Sequence, residues 1–150
     1  MNKILKTLLI VFATICILLS AIVLTVLWGI HKHEKAYQPR WSYGALMSLA
    51  SGFDDYRKQN GVWPADINQL VKFRPDLYPA TTDSYSHAII LIPYNDAVGY
   101  GELISYGRDG KPGGDNKFDR DIIVRFPMET ETNAEWNKQI GERFKHPLSQ

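Results

Sequence analysis

The sequence predicts an α+β protein, in which an N-terminal transmembrane helix precedes a small domain with a three-stranded antiparallel sheet. Residues 8–30 are an uncharged apolar run. Residues 43–58 then show apolar side chains at intervals of three and four. Three short runs at 88–93, 100–106 and 121–126 are rich in β-branched and aromatic residues. A helix followed by short strands that turns connect is typical of the α+β class.

Residues 8–30 form the first predicted element, because only Thr, Ser, Cys and Gly interrupt their apolar surface. A helix of this length spans roughly 34 Å, which is enough to cross a hydrocarbon core of about 30 Å. Lys3 and Lys6 also resemble the basic start of a cleaved secretory signal. However, the run is longer than the apolar region of a typical signal, and no A-x-A-like site follows it. We therefore expect residues 1–33 to form a retained single-pass anchor.

The rest of the chain is close to neutral. The protein has 17 Lys and Arg and 16 Asp and Glu, and only Lys3 and Lys6 precede residue 31. Without a basic surplus, nucleic-acid binding is not expected. The only cysteine lies in the apolar run, so the following domain must fold without disulfides. Lys32, Lys35 and Arg40 follow the run, and the charges on its two sides do not determine its orientation.

A polar segment at residues 34–43 is interpreted as a linker. The next residues have a periodic apolar pattern, which predicts one buried helix face. The residues on this face are Leu46, Leu49, Ala50, Phe53 and Tyr56. Asn60 and Gly61 are expected to end this helix, and Asp66 to cap a short second helix.

Two further segments complete the predicted elements. Residues 74–86 carry two prolines among Thr, Ser and Asp, which favours a loop. After the three predicted strands, residues 134–144 fit a helix that places Trp136, Ile140 and Phe144 on one side.

The segment between the second and third predicted strands combines four glycines with four closely spaced aspartates. These are Gly107, Gly110, Gly113 and Gly114, with Asp109, Asp115, Asp119 and Asp121. Calcium takes six to eight oxygen ligands, and carboxylates together with carbonyls on a bent loop can supply them. Tight turns require the same residue types, and the EF-hand ligand spacing is absent. From the residues alone, a cation site and a solvated hairpin loop both remain open.

Two motifs of the domain match a known family. Residues 60–64 read Asn-Gly-Val-Trp-Pro, and residues 105–110 read Ser-Tyr-Gly-Arg-Asp-Gly, followed by Gly113-Gly114 and by Asp-Arg-Asp-Ile at 119–122. Over about residues 44–126 the chain resembles the major pseudopilins of type II secretion systems. In that family the first helix closes on a similar Asn-Gly-x-Tyr-Pro stretch. Its loop reads Ser-Leu-Gly-x-Asp-Gly-x-x-Gly-Gly before an Asp-x-Asp-Ile.

The resemblance implies a pilin-like fold at residues 44–127, with a helix packed on a three-stranded antiparallel sheet. Residues 128–150 lie beyond the resemblance and are interpreted as a C-terminal extension. The resemblance also implies that calcium binds in the loop through carboxylates and backbone oxygens. The matching positions are Leu103, Ser105, Asp109, Asp119 and Asp121, with Asp115 as an additional local candidate. The implied location is the bacterial inner membrane, with a periplasmic domain. The implied partners are other proteins, either pseudopilins or secretion components.

The N-terminal region departs from the family pattern. Pseudopilins carry a basic leader that ends in Gly, followed by a Phe-Thr-Leu-x-Glu-like start of the apolar helix. Here no Gly precedes the apolar run, and no acidic residue occurs before Glu34. Because a carboxylate within a bilayer is costly and usually functional, we expect this chain to be neither processed nor assembled as an ordinary pilus subunit. The alternative is an accessory or inhibitory binding protein that has a pilin-like domain and does not polymerise.

Catalysis is not expected. The four histidines, His31, His33, His87 and His146, are dispersed, and neither G-x-S-x-G nor H-E-x-x-H occurs. A hydrolase that uses the loop carboxylates as acid and base, or as metal ligands, is the less favoured hypothesis.

Overall fold

A computed structural model describes residues 2–114, 116 and 118–144, and the chain divides into two compact units, Met1–Ala36 and Tyr37–Gln150. The predicted α+β class and its three-stranded antiparallel sheet are confirmed. The helices are α1 (Lys3–Asn60), α2 (Ile67–Phe73) and α3 (Glu131–Glu142), with a 3-10 helix at Pro75–Thr81. The strands are β1 (Ile90–Asn95), β2 (Tyr100–Ser105) and β3 (Ile122–Phe126).

The first unit contains the apolar segment Leu8–Ile30 of α1. This segment has 23 residues, and none of the residues in its apolar window is buried within the described chain. Among the described residues, no other helix is long and apolar enough to span a membrane. The hydroxyls of Thr14, Ser20 and Thr25 each donate a 2.8 Å hydrogen bond to the carbonyl four residues earlier. These polar side chains are therefore satisfied within the helix, as a hydrocarbon environment requires.

The second unit has one apolar core between α1 and the sheet. The sheet order is β1-β2-β3, so β2 lies in the middle, with Leu103 opposite both Leu91 and Val124. The predicted apolar face of α1 packs against these strands. The rings of Phe53 on α1 and Phe126 on β3 lie 4.7 Å apart. The helix and the sheet thereby exclude water from one another and provide most of the unit's apolar burial.

The C-terminal helix α3 protects the outer edge of β3. The Asn137 amide donates to the Arg125 carbonyl, and the Asn137 side-chain oxygen accepts from the Arg125 N–H, both at 2.8 Å. A neighbouring strand residue would make the same two bonds, so this side chain occupies an edge that could otherwise pair with another chain. Trp136 donates to the Ile123 carbonyl at 3.2 Å, and Ile140 and Phe144 are buried in the core.

The predicted end of α1 and the predicted N-cap of α2 are both confirmed. α1 ends at Asn60, and the Gly61 N–H donates to the Arg57 carbonyl at 2.8 Å. Asp66 caps α2 by accepting a 2.7 Å hydrogen bond from the Gln69 N–H. These outcomes depend on a few neighbouring residues, which is why the sequence alone predicts them.

Two segments differ from the sequence prediction. Residues 34–43, interpreted as a linker, lie inside α1. Pro39 is buried there, and the Ser42 hydroxyl lies 2.7 Å from the Ser84 hydroxyl, which donates to the Gln38 carbonyl. Packing on the domain therefore helps to offset the cost of a proline inside the helix.

The loop predicted at residues 74–86 contains the 3-10 helix Pro75–Thr81. Pro75 stands in its first turn, where the fixed φ of proline suits a helix start and its missing N–H costs nothing. The composition of residues 74–86 favoured a loop because prolines occur both in loops and at helix starts.

Candidate calcium site in the loop between the second and third strands

Residues 106–121 connect β2 to β3, and we refer to them as the glycine-aspartate loop. Its two limbs lie against each other, since the Arg108 N–H donates to the Phe118 carbonyl at 2.7 Å. Gly114 has a φ of 118°, and a Cβ there would lie 2.2 Å from the Asp119 carbonyl oxygen. Gly107 has a φ of 69°, and its Cβ would lie 2.6 Å from the Phe118 carbonyl oxygen. Both positions therefore require glycine for this close approach of the backbone.

The Asp119 carboxylate already has a cationic partner. The Arg108 guanidinium donates to both of its oxygens, at 2.9 Å from Nε and 3.1 Å from Nη2. The Asn116 side-chain amide also donates to Asp119. The hydrogen bond from Arg108 holds the pKa of the Asp119 carboxyl below its usual range. A cation that bound Asp119 would have to compete with this guanidinium.

Asp109 and Asp121 accept hydrogen bonds only from backbone groups among the described contacts. The Lys111 N–H donates to Asp109 Oδ1 at 3.2 Å. The Gly113 N–H lies 3.0 Å from both oxygens of Asp121. A carboxylate offers about four acceptor positions. Both groups therefore keep oxygen lone pairs with which they could bind a hard cation.

Ser105 belongs to a buried hydrogen-bond cluster at the start of the loop. Its hydroxyl donates to Asp83 Oδ2 at 2.6 Å and accepts from the Gly107 N–H at 3.3 Å. Asp83 Oδ1 accepts from the N–H groups of Tyr85 and His87, each at 2.9 Å. Sequence reasoning missed Asp83, although an Asp that precedes Ser and Tyr in a polar segment is a signal for a side-chain-capped turn.

His87 and Leu103 lie next to the start of the loop. His87 precedes β1, and its Nδ1 lies 2.9 Å from the Gly107 carbonyl oxygen, so it contacts the start of the loop. Leu103 lies inside β2, within the predicted strand run, and is fully buried. It contributes to the core beneath the loop.

The described part of the loop does not gather its candidate side chains into a metal-binding group. Within residues 2–114, 116 and 118–144, no three His, Cys, Asp or Glu side chains form a group that could hold a metal ion. Asp115 lies outside the described residues. The remaining donors are all oxygens, which fits the chemistry of calcium. Comparisons with family models, with curated proteins and with solved structures gave no match for this chain.

Proposed function

We propose that this chain is a membrane-anchored, pseudopilin-like structural or assembly protein of a type II secretion-related system. One observation carries the proposal. The segment Leu8–Ile30 is long and apolar enough to span a membrane, and the same helix α1 packs further along on a three-stranded antiparallel sheet. This order of elements is the one that the pseudopilin resemblance implies. The motif at residues 105–122, on which that resemblance rests, supports the proposal from the sequence.

The proposed role is non-enzymatic. The domain would bind other proteins, namely pseudopilins or secretion components, while α1 holds it at the inner membrane with the domain in the periplasm. The nearly equal numbers of acidic and basic residues support a protein partner rather than a nucleic acid.

Location and orientation can be tested together in a Gram-negative host. The chain should remain in the membrane fraction after alkaline extraction. Protease should digest its domain in spheroplasts but not in intact cells. Release by alkali would contradict the anchor, and digestion only after the inner membrane is lysed would contradict the periplasmic orientation.

We further propose that calcium stabilises the domain by binding the glycine-aspartate loop. An ion that binds only the folded loop adds about 2.7 kcal/mol at a concentration 100 times its dissociation constant. The full chain in detergent should therefore unfold at a clearly higher temperature in calcium than in chelator.

Two matched substitutions make the calcium test specific. Asp121→Asn should reduce the increase in midpoint that calcium produces, because it removes a carboxylate of the loop. Asp96→Asn should leave that increase unchanged, since Asp96 is exposed in the turn between β1 and β2. Equal midpoints of the wild-type chain in calcium and chelator would refute the calcium proposal and leave the anchoring proposal standing.

A second candidate function is that of a non-polymerising accessory or inhibitory protein with a pilin-like domain. It is favoured by the apolar segment Leu8–Ile30, which carries no acidic residue. The mass of the mature N-terminus distinguishes the two candidates. An intact N-terminus supports a fixed anchor, whereas a cleaved and methylated terminus supports assembly into a filament.

A further inference from the structure

Arg125 of β3 combines two aromatic rings with a carboxylate. Its guanidinium lies 4.1 Å from the centre of the Tyr100 ring and 3.9 Å from the centre of the Trp136 ring. Its Nε also donates a 3.1 Å hydrogen bond to Glu102. The rings attract the cation and hold its plane, while the edge of the guanidinium keeps N–H groups that bind the carboxylate.

Arg108 of the glycine-aspartate loop repeats this arrangement with one ring. Its guanidinium lies 5.6 Å from the centre of the Phe118 ring and donates to both oxygens of Asp119. In both places, a guanidinium that lies over a ring also has a carboxylate partner. We refer to this combination as the ring-guanidinium-carboxylate arrangement.

Arg57, in the last turn of α1, has the rings but not the carboxylate. Its guanidinium lies 4.6 Å from the centre of the Trp63 ring and 5.5 Å from that of Tyr94, and these two rings stack at 4.9 Å. Within residues 2–114, 116 and 118–144, no group accepts a hydrogen bond from this guanidinium, and no carboxylate forms an ion pair with it. Arg57 therefore keeps N–H donors that no described residue uses.

The space beside Arg57 is accessible from outside the domain. Arg57 is exposed and lines an open cavity of about 330 Å³ between the end of α1 and the segment that joins β3 to α3. Two carboxylates also line this cavity, but Glu129 is paired with Lys58, and Asp54 is 7% exposed and accepts from the Met128 N–H. Neither is a partner of Arg57, so a carboxylate for Arg57 has to come from another molecule.

The surroundings of Arg57 favour a protein as the source of this carboxylate. Arg, Trp and Tyr are the residue types that contribute most to binding energy in protein interfaces. Trp63 and Pro127 give the cavity apolar walls, and Val62, which precedes Trp63, is 61% exposed. A carboxylate that is carried on a polypeptide brings neighbouring atoms that can cover this apolar surface.

We propose that Arg57 binds a carboxylate of a partner protein, which enters the cavity and completes the ring-guanidinium-carboxylate arrangement. The carboxylate comes from an Asp or Glu side chain or from the C-terminus of the partner. The guanidinium donates two parallel hydrogen bonds to it, and the rings already hold the guanidinium, which lowers the ordering cost of binding. The assignment goes beyond the proposed function, because it depends neither on calcium nor on the pseudopilin resemblance.

The test follows the indole ring resonances of Trp63 in the full chain in detergent, and Trp63→Phe assigns them by their loss. Acetyl-Ala-Glu-Ala-amide carries a side-chain carboxylate, acetyl-Ala-Gln-Ala carries a C-terminal carboxylate, and acetyl-Ala-Gln-Ala-amide is uncharged. Both carboxylate probes should shift the resonances saturably. They should bind about tenfold more tightly than the uncharged probe, because hydrogen bonds between two charged groups are the stronger ones. Tighter binding of the first probe assigns a side-chain source, and tighter binding of the second assigns a C-terminal source.

Substitutions of arginine provide the matched changes in the protein. Arg57→Gln removes the guanidinium and should abolish the preference for the carboxylate probes. Arg57→Lys keeps the charge without the planar fork, so it should reduce the preference without abolishing it. Arg143→Gln makes the same chemical change at an exposed residue at the end of α3, which does not line the cavity, and should leave the preference intact.

Four results would overturn the proposal. The first is the absence of a saturable shift with any probe, and the second is equal affinity of the wild-type chain for the charged and uncharged probes. The third is an undiminished preference in Arg57→Gln. The fourth is tighter binding of glycerol 3-phosphate than of both carboxylate probes, which would assign the site to a lipid phosphate. Because the probe comparison uses the wild-type chain, the proposal stays testable even if Arg57→Gln does not fold.

Discussion

Asp83 should be one of the most sensitive polar positions of the domain, because one buried carboxylate satisfies three donors. Its side chain is 0% exposed and accepts from the Tyr85 and His87 N–H groups and from the Ser105 hydroxyl. Asp83→Ala removes the two oxygens that accept all three hydrogen bonds and leaves the Ser105 hydroxyl buried without its acceptor. With roughly 1–3 kcal/mol for each buried group left unpaired, we expect a loss of about 3–5 kcal/mol.

Two milder changes of the same cluster provide the comparison. Ser105→Ala removes one of the three hydrogen bonds to Asp83, together with the longer bond from the Gly107 N–H, and should cost about 1–2 kcal/mol. Asp83→Asn keeps an acceptor for the Tyr85 and His87 N–H groups and presents an amide to the Ser105 oxygen, so it should lie between the other two. The expected order of destabilisation is Ser105→Ala, then Asp83→Asn, then Asp83→Ala.

Thermal unfolding of the full chain in detergent measures these differences through near-ultraviolet circular dichroism. At about 4 °C for each kcal/mol in a domain of this size, Asp83→Ala should lower the midpoint by roughly 12–20 °C. The double variant Asp83→Ala/Ser105→Ala should cost about 1–2 kcal/mol less than the sum of the singles, because both remove the same bond. An Asp83→Ala chain within about 1 kcal/mol of wild type, or strictly additive costs, would refute this reasoning.

Three further substitutions test other features. Gly114→Ala should unfold at a clearly lower temperature than Gly113→Ala, because both glycines have positive φ but only Gly114 faces a backbone oxygen within 3 Å; equal midpoints would contradict this. Burial raises the pKa of the Asp54 carboxyl above its ordinary 3.8, so the folded chain binds this proton more tightly than the unfolded chain. The free energy of unfolding of the wild type should fall relative to that of Asp54→Asn as the pH rises from 3.8 through the raised pKa of Asp54. If the free energies of both chains change in parallel with pH, the pKa of Asp54 is not raised by folding. Arg108→Gln frees Asp119 from its guanidinium and should raise calcium affinity in a titration by isothermal calorimetry, whereas an unchanged affinity would show that calcium does not compete for this carboxylate.

The elements that the sequence predicts well are those whose causes are local. The period of apolar residues in α1, the Asp66 cap and the β-branched strand runs each depend on a few neighbouring positions. Residues 34–43 could not be identified as helical, because their conformation depends on contacts such as that between Ser42 and Ser84, which are far apart in sequence. Tertiary packing decides such stretches more than propensity does.

The candidate site shows the same division between local and distant causes. The sequence indicated where the carboxylates and glycines lie but not which groups they contact. The roles of Asp83 and Arg108 depend on how the loop folds, because Asp83 reaches Ser105 across 22 positions and Arg108 reaches Asp119 across 11. A count of acidic residues assumes that every carboxylate is available to bind a cation. The number of carboxylates that are available depends on the hydrogen bonds and ion pairs that they already make.

The charge balance of the glycine-aspartate loop bears on how calcium would act. The loop contains as many basic as acidic residues: Arg108, Lys111, Lys117 and Arg120 accompany Asp109, Asp115, Asp119 and Asp121. A loop with four unaccompanied carboxylates would repel itself without a metal ion, but here Arg108 already neutralises Asp119 and joins the two limbs. Calcium would then have to replace the Arg108 guanidinium as the cationic partner of Asp119. The free energy gained at Asp119 is only the difference between these two interactions. The loop should therefore keep its closed form in chelator, with calcium adding stability to a loop that is already folded.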